Sequence, residues 1–400
     1  MRVLLIPDKF KGSLDAKEVV GAISKGIRLA RPDAEIHSVL ASDGGDGFLD
    51  AVLENVNCKM VTVETVDPLG RTIEADYLRD AATQSAYIEL ARASGLALLR
   101  IAEPDAIHTS TFGTGLQIRN SIENGAKNIY LGLGGSATND GGTGIAKALG
   151  YRFLDAQGNE LEGKGSDLGK IENIDSGGVI PNVKAALNKD ISKTNSTGWD
   201  DPNRKATQND ISFYAINDVD NPLVGPRGAA HVYGAQKGAS ISEIRVLDKG
   251  LRHLDSLVSH RLGKSFANHP GCGAAGGTAY GLKAFCNAEF ISGIAFVLQL
   301  SKVDDILKSQ AFDYIVTGEG KFDRQTLHGK LIKGVSDLGV KYHVPVVAFC
   351  GLLALTPEEK KVAGPQKIIE IRDVSKPVEY SMINAAELLR ECASRFFKEA

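Results

Sequence analysis

Glycine, hydroxyl and acid side chains are interleaved in Gly132-Leu133-Gly134-Gly135-Ser136-Ala137-Thr138-Asn139-Asp140-Gly141-Gly142, between a short apolar run at 128–133 and a helical apolar pattern at Ile145, Ala146 and Leu149. Without Cβ atoms a backbone can approach an anion closely, its free N–H groups can point into the turn, and a helix N-terminus adds positive potential. Ser136 and Thr138 add hydroxyl donors, so the loop can cradle a phosphate. Asp140 works against that charge unless Mg2+ bridges the two or the carboxylate serves as a base, and this combination points to phosphoryl transfer. The structural alternative is a tight strand-to-helix turn capped by Asn139 or Asp140. Gly132-x-Gly134-x-x-Ala137 also fits the dinucleotide fingerprint, with Asp155 closing the next strand at 151–154, which keeps an NAD(P)-dependent oxidoreductase as a second reading. An acid beside the pyrophosphate and a helix ahead of the strand weigh against it.

Acid-and-glycine loops recur at the ends of other apolar runs: Pro7-Asp8-Lys9-Phe10-Lys11-Gly12, Asp43-Gly44-Gly45-Asp46-Gly47, Asp218-Val219-Asp220-Asn221-Pro222, and Thr317-Gly318-Glu319-Gly320 with Asp323. Each alone is an ordinary turn composition. Together they suit a ligand at the carboxyl ends of parallel strands, with oxygen ligands for Mg2+ rather than the His and Cys clusters that zinc prefers. No P-loop pattern is present.

The elements that must carry these loops read as strand, loop and helix in succession. Residues 3–6 form an apolar run closed by Pro7-Asp8; Ser13 reads as an N-cap, with Asp15 in the first turn of a helix over Ala16, Val19, Val20, Ile23, Ile27 and Ala30 that Arg31-Pro32 stops. A second unit follows at 35–53. Runs at 60–66, 72–78 and 86–90 read as antiparallel strands; β/α texture returns at 128–133, 211–216, 314–317, 344–350 and 368–371. A last helix carries the stripe Met382, Ala386, Leu389, Ala393 and Phe396. The pattern predicts an α/β protein in which residues 1–70 and 290–400 form one discontinuous domain around an insertion at 71–289. A polar segment at 188–210, with almost no apolar residue except Trp199, reads as an exposed loop.

A length of 400 residues gives room for about two to three domains, and 43% hydrophobic with 24% charged residues is ordinary globular usage. The net charge of −3 carries no basic excess for nucleic acid or anionic lipid. Five widely spaced cysteines, with no Cys-x-x-Cys pair, fit a reducing cytoplasm; no signal peptide or membrane span is expected.

Seven blocks run in order over nearly the whole chain: PDKFKGSL at 7–14, SDGGDG at 42–47, GLGGSATNDGG at 132–142, DVDNPLVGPRGAA at 218–230, QKGA at 236–239, GCGAAGG at 271–277 and TGEGKFDRQTLHGK at 317–330. Together they closely resemble the class I glycerate kinase family. The resemblance implies ATP-dependent phosphorylation of D-glycerate at the 2-hydroxyl, giving 2-phosphoglycerate. It also implies a flavodoxin-like doubly wound parallel-sheet domain interrupted by a second α/β domain with a mixed sheet. Asp46 stands where Glu is common, Asn217 where Cys often precedes the DVDNPL block, and 188–210 looks inserted. A non-catalytic metabolite-binding regulator is the remaining alternative. Since ATP and glycerate are both anionic, cations must bring them together: Lys11, Arg227, Lys237 and Lys330 are the candidates within the blocks. Gly134, Gly135, Ser136, Thr138, Asn139, Gly276 and Gly277 are expected to contact phosphate or substrate. Asp218 and Glu319 are expected to hold Mg2+ directly or through water, and Asp140 or Asp43 to orient the attacking hydroxyl.

Overall fold

A computed structural model describes residues 1–41, 44–45, 47–187, 211–323, 326 and 330–400, apart from the side chains of Leu262 and Lys330. Two compact units emerge, Met1–Ser42 with Ser292–Ala400, and Asp43–Ile291. The expected polar loop at 188–210 lies outside the described residues. Residues 43–70, expected with the chain's two ends, fall in the second unit instead. The reason is β3 (Lys59–Val66), whose full length pairs antiparallel with β4 (Thr72–Asp80) across the Asp67–Gly70 turn.

The first unit is a parallel sheet of β1 (Arg2–Leu5), β2 (Glu35–Ser38), β11 (Tyr314–Phe322), β12 (Val346–Leu353) and β13 (Lys367–Glu370), in the order β13-β12-β11-β1-β2. Counted within the unit this is the flavodoxin-like order 2-1-3-4-5. The chain leaves β1 toward β2 on one side and returns at β11 on the other. The carboxyl end of β1 and the outer half of β11 therefore flank the point where strand order reverses; the 7–12 loop lies there, whereas the 317–320 stretch, expected as a loop, continues β11 as strand paired with β12. The N-cap of the Ala16–Ala30 helix is Asp15 rather than Ser13: Asp15 Oδ1 accepts from Glu18 N at 2.8 Å and Glu18 Oε2 from Asp15 N at 2.9 Å, a closed capping box. Ser13 Oγ donates instead to Phe10 O within the preceding turn. This helix packs Val19, Ile23 and Ile27 in a core with Ala385, Leu389, Ala393 and Phe397 of the Ala385–Glu399 helix. The expected stripe shares Leu389 and Ala393 with this one; Ala385 and Phe397 are buried in place of Ala386 and Phe396, and a break at Asn384 leaves Met382 on a separate helix, exposed.

In the second unit, β5 (Ser85–Glu89), β6 (Asn128–Gly132), β9 (Ser212–Ile216) and β10 (Glu289–Ile291) complete a mixed sheet, β10-β9-β6-β5-β4-β3. β5 pairs antiparallel with β4 but parallel with β6, so the meander of 59–89 becomes the edge of a parallel layer. β7 (Arg152–Leu154) and β8 (Asn173–Asp175) form a separate hairpin-like pair. Tyr87, Tyr130 and Tyr214 stack across β5, β6 and β9, with ring centroids 5.1 and 4.7 Å apart, which locks the register of the three parallel strands. No helix among the described residues is long and apolar enough to cross a membrane.

Candidate active site

The glycine loop leaves β6 at Gly132 and is held from two sides by backbone. Gly134 N donates to Gly44 O at 2.9 Å, and a Cβ on Gly134 would stand 2.1 Å from Gly45 Cα. Thus the SDGGDG and GLGG blocks touch main chain to main chain, which only glycine permits. From the opposite side Gly276, at φ +67°, would place a Cβ 1.9 Å from Thr138 O, and Gly141 N donates to Gly276 O at 3.1 Å. Gly277, at φ +87°, would drive one to 2.9 Å from Leu223 Cδ1 and 3.0 Å from Gly141 Cα. The missing side chains of Gly276 and Gly277 are therefore accounted for by the loop they support, not by a phosphate.

Beneath the loop lies Lys237, at 2% exposure, carried by a short turn between helices; its Nζ donates to Ser136 Oγ and to Thr138 O, both at 2.7 Å. Burial lowers the Lys237 ammonium to about 7, opposed by the charge of Asp140. Its two bonded partners are neutral. Thr138 Oγ1 and both amide atoms of Asn139 are buried without a hydrogen-bond partner among the described residues. Buried polar atoms are normally satisfied, so three orphans on two consecutive residues, next to a buried cation, mark a place built for an anionic, hydrogen-bonding ligand.

Asp140 does not fit the role of base. It is fully buried, and its Oδ2 accepts from Thr111 N and Thr111 Oγ1, both at 2.7 Å, and from Gly144 N at 3.3 Å; Oδ1 accepts from Gly142 N at 3.0 Å. Thr111 Oγ1 in turn accepts from Ile145 N at 3.0 Å. Burial holds the Asp140 carboxyl above its ordinary value, and the donors from Thr111, Gly142 and Gly144 offset part of that rise. Donors meet both oxygens, which suits the ionised form. The carboxylate is a clamp that ties the loop to the 109–112 segment, with no face left for a substrate hydroxyl.

Asp43, the other expected acid, lies outside the described residues. Asp218 is partly buried just past the end of β9, the strand beside β6. Arg227 is exposed, and its carbonyl accepts from Asn221 Nδ2 at 2.8 Å. The sequence reading missed Glu89, 4% exposed at the carboxyl end of β5 opposite Gly132, where Oε2 accepts from Leu49 N at 3.3 Å and Oε1 lies 3.6 Å from Arg92 Nε. An acid closing an apolar strand was the available signal. Asp155 cannot serve a dinucleotide ribose: its Oδ1 accepts from Gln157 N at 2.9 Å and Asn159 N at 2.8 Å in a surface turn.

In the first unit, Asp8 N donates to Gly318 O at 2.8 Å, and a Cβ on Gly320 would reach Lys11 N at 3.0 Å, so the 7–12 loop lies along the outer half of β11. Lys11 is exposed there. The Lys330 side chain is not described. Glu319 is partly buried and accepts from the Thr326 hydroxyl. Burial, with the charges of Asp8 and Asp323, pushes the Glu319 carboxyl up to about 7 against the pull of Thr326. A folded value above the unfolded one means that the native state binds more protons between those two values, so stability falls as pH rises through that window. Replacing Glu319 with Gln should flatten that fall between about pH 5 and 8 by on the order of 2 kcal/mol in denaturant titrations. An undiminished pH slope would assign the effect elsewhere. Among the described residues no group of three or more His, Cys, Asp or Glu is arranged to hold a metal ion. Carboxylates in ones and twos, with phosphate oxygens and water completing the shell, nevertheless suit Mg2+, and Glu319 and Asp218 are of that kind.

Comparison with known proteins agrees with this geometry. The model of the glycerate kinase family matches residues 3–193 and 187–400. Glycerate 2-kinase of Escherichia coli is 37% identical over 353 residues, 88% of this chain and 86% of that protein. Glycerate kinase of Bacillus subtilis is 32% identical over 393 residues, 98% of this chain and 96% of its own. The crystal structure of a Salmonella typhimurium protein provisionally assigned as glycerate kinase 2 superposes with a TM-score of 0.78 at 34% identity, covering 100% of this chain and 98% of that one. With its glycine loop, two α/β units and family match over almost its whole length, the chain belongs to the glycerate kinase family and is an ATP-using kinase that phosphorylates glycerate.

Proposed function

We propose that the chain transfers the γ-phosphoryl group of ATP to the 2-hydroxyl of D-glycerate, giving 2-phosphoglycerate, with Mg2+ and in the cytoplasm. The observation that carries the reading is the loop at 134–139, with a buried ammonium below it and unpartnered Thr138 and Asn139 side chains beside it. Phosphoryl transfer asks little covalent chemistry of a protein and much positioning and charge neutralisation. The N–H of Gly135, the Ser136 and Thr138 hydroxyls and the Asn139 amide hold a phosphate or the substrate carboxylate, while Gly134, its N–H bonded to Gly44 O, sets the course of the loop. Lys11 and Lys330 in the first unit, and Arg227 in the second, are the cations offered to the two anionic substrates. Asp43 orients the attacking hydroxyl, a role that the clamped Asp140 leaves to it. Glu319 and Asp218 are the carboxylates offered to Mg2+, which when bound neutralises charge on phosphate oxygens. Five free cysteines support the cytoplasmic placement.

Incubation with ATP, Mg2+ and D-glycerate, followed by 31P NMR of the products, is expected to show a phosphomonoester on carbon 2. The 3-phosphate as sole product would correct the position, and folded protein that yields no phosphoglycerate would overturn the reading.

A further inference from the structure

We propose that filling the 134–139 loop with an anionic oxygen group draws one proton from the medium onto Lys237 Nζ, so that ligand capture and protonation of this lysine are a single event. The proposal rests on the functional reading above and deepens it.

The geometry is that of a cation without a counter-ion in contact. Lys237 Nζ bonds a hydroxyl, Ser136 Oγ, and a carbonyl, Thr138 O. An ammonium enclosed this way loses its hydration and gains only dipoles, so the neutral amine competes with it. That is the source of the fall in its pKa to about 7. Other titratable groups on the elements around it do little to hold the charge. Asp140 acts on it through space, but its oxygens are already engaged by Thr111, Gly142 and Gly144. On the segment that meets Gly238, Asp105 and His108 bond each other at 2.8 Å. On the flanking helices His231 is exposed, and Glu243 closes the capping box with Ser240. An anion at Ser136, Thr138 and Asn139 would supply the missing negative charge, raise the affinity of Nζ for its proton, and satisfy the orphaned atoms at the same time.

Phosphate and carboxylate share this chemistry, and separate titrations of ATP alone and D-glycerate alone distinguish them. Heats of binding are measured at about pH 8, where a terminal phosphate is already fully ionised, in two buffers of different ionisation enthalpy. Wild-type protein is expected to take up about 0.9 proton with at least one ligand, and that ligand's Kd should rise up to about tenfold per pH unit above 7. The ligand showing uptake is the one seated on the loop. Lys237→Met, where it folds, is expected to bind that ligand more weakly with no dependence on buffer. Binding of both ligands to wild-type protein with buffer-independent heats overturns the proposal and leaves the kinase reading intact. Uptake that persists in folded Lys237→Met also overturns it. Binding of neither ligand overturns the kinase reading and the proposal together.

Discussion

Replacement of Asp140 by Asn is expected to destabilise the Asp43–Ile291 unit by about 3–5 kcal/mol, the range for breaking a buried charged network. The carboxylate accepts four bonds, three of them on Oδ2. An amide must turn its NH2 either toward Thr111 and Gly144 or toward Gly142, setting donor against donor in a fully buried place. For a unit of this size the loss corresponds to a fall in Tm of about 10 °C or more. Thermal unfolding followed by circular dichroism measures it, alongside turnover. A variant with wild-type Tm that loses only turnover would return Asp140 to the chemistry and remove the clamp described here.

Gly276→Ala is expected to lower kcat/KM for both substrates by about 100-fold or more, because a Cβ there forces the 134–139 glycine loop to move by an ångström or so. Its position is 1.9 Å from Thr138 O and 2.6 Å from Asn139 Cα, both main-chain atoms that cannot swing aside. Part of the cost is left-handed strain at φ +67°. Gly158→Ala separates the two contributions, since Gly158 has φ +82° with nothing within 4 Å of its would-be Cβ. That control should lose about 1 kcal/mol of stability and no activity. Equal kinetics for the two variants would show that backbone contact at Gly276 does not position the loop.

The sequence made the architecture readable where local chemistry and chain order coincide. Alternating apolar runs and capped helices announced α/β units, and the likeness of the last strands to the first announced a discontinuous domain. The boundary expected for it at residue 70 falls inside the run of antiparallel strands read at 60–90; β3 pairs with β4 over its full length, so the two belong to one sheet. The expected C-terminal stripe kept Leu389 and Ala393 but lost Met382, because Asn384 breaks the helix and leaves Met382 on a separate one. At the site, Gly134–Asn139 could be singled out from composition alone. The parts of Asp140 and Gly276 could not, since each depends on partners about 30 or 140 residues away that local sequence does not name. Glu89 passed unnoticed because a lone acid at a strand end carries too little signal without its neighbours.

The order in which the chain is made imposes a schedule on the sheet that holds the 7–12 loop. Val3 pairs with Tyr314, so β1 lacks its central neighbour until about 310 further residues have been synthesised. At translation rates of about 5–20 residues per second, that is a delay of roughly 15–60 s. Over this interval β1 and β2 have only each other, and the apolar face of the Ala16–Ala30 helix has yet to meet Leu389, Ala393 and Phe397. Residues 43–291, whose strands find all their partners among themselves, can meanwhile close their own sheet. β1 is thus made long before it reaches its native pairing, and its exposed strand edge is where aggregation during synthesis should begin.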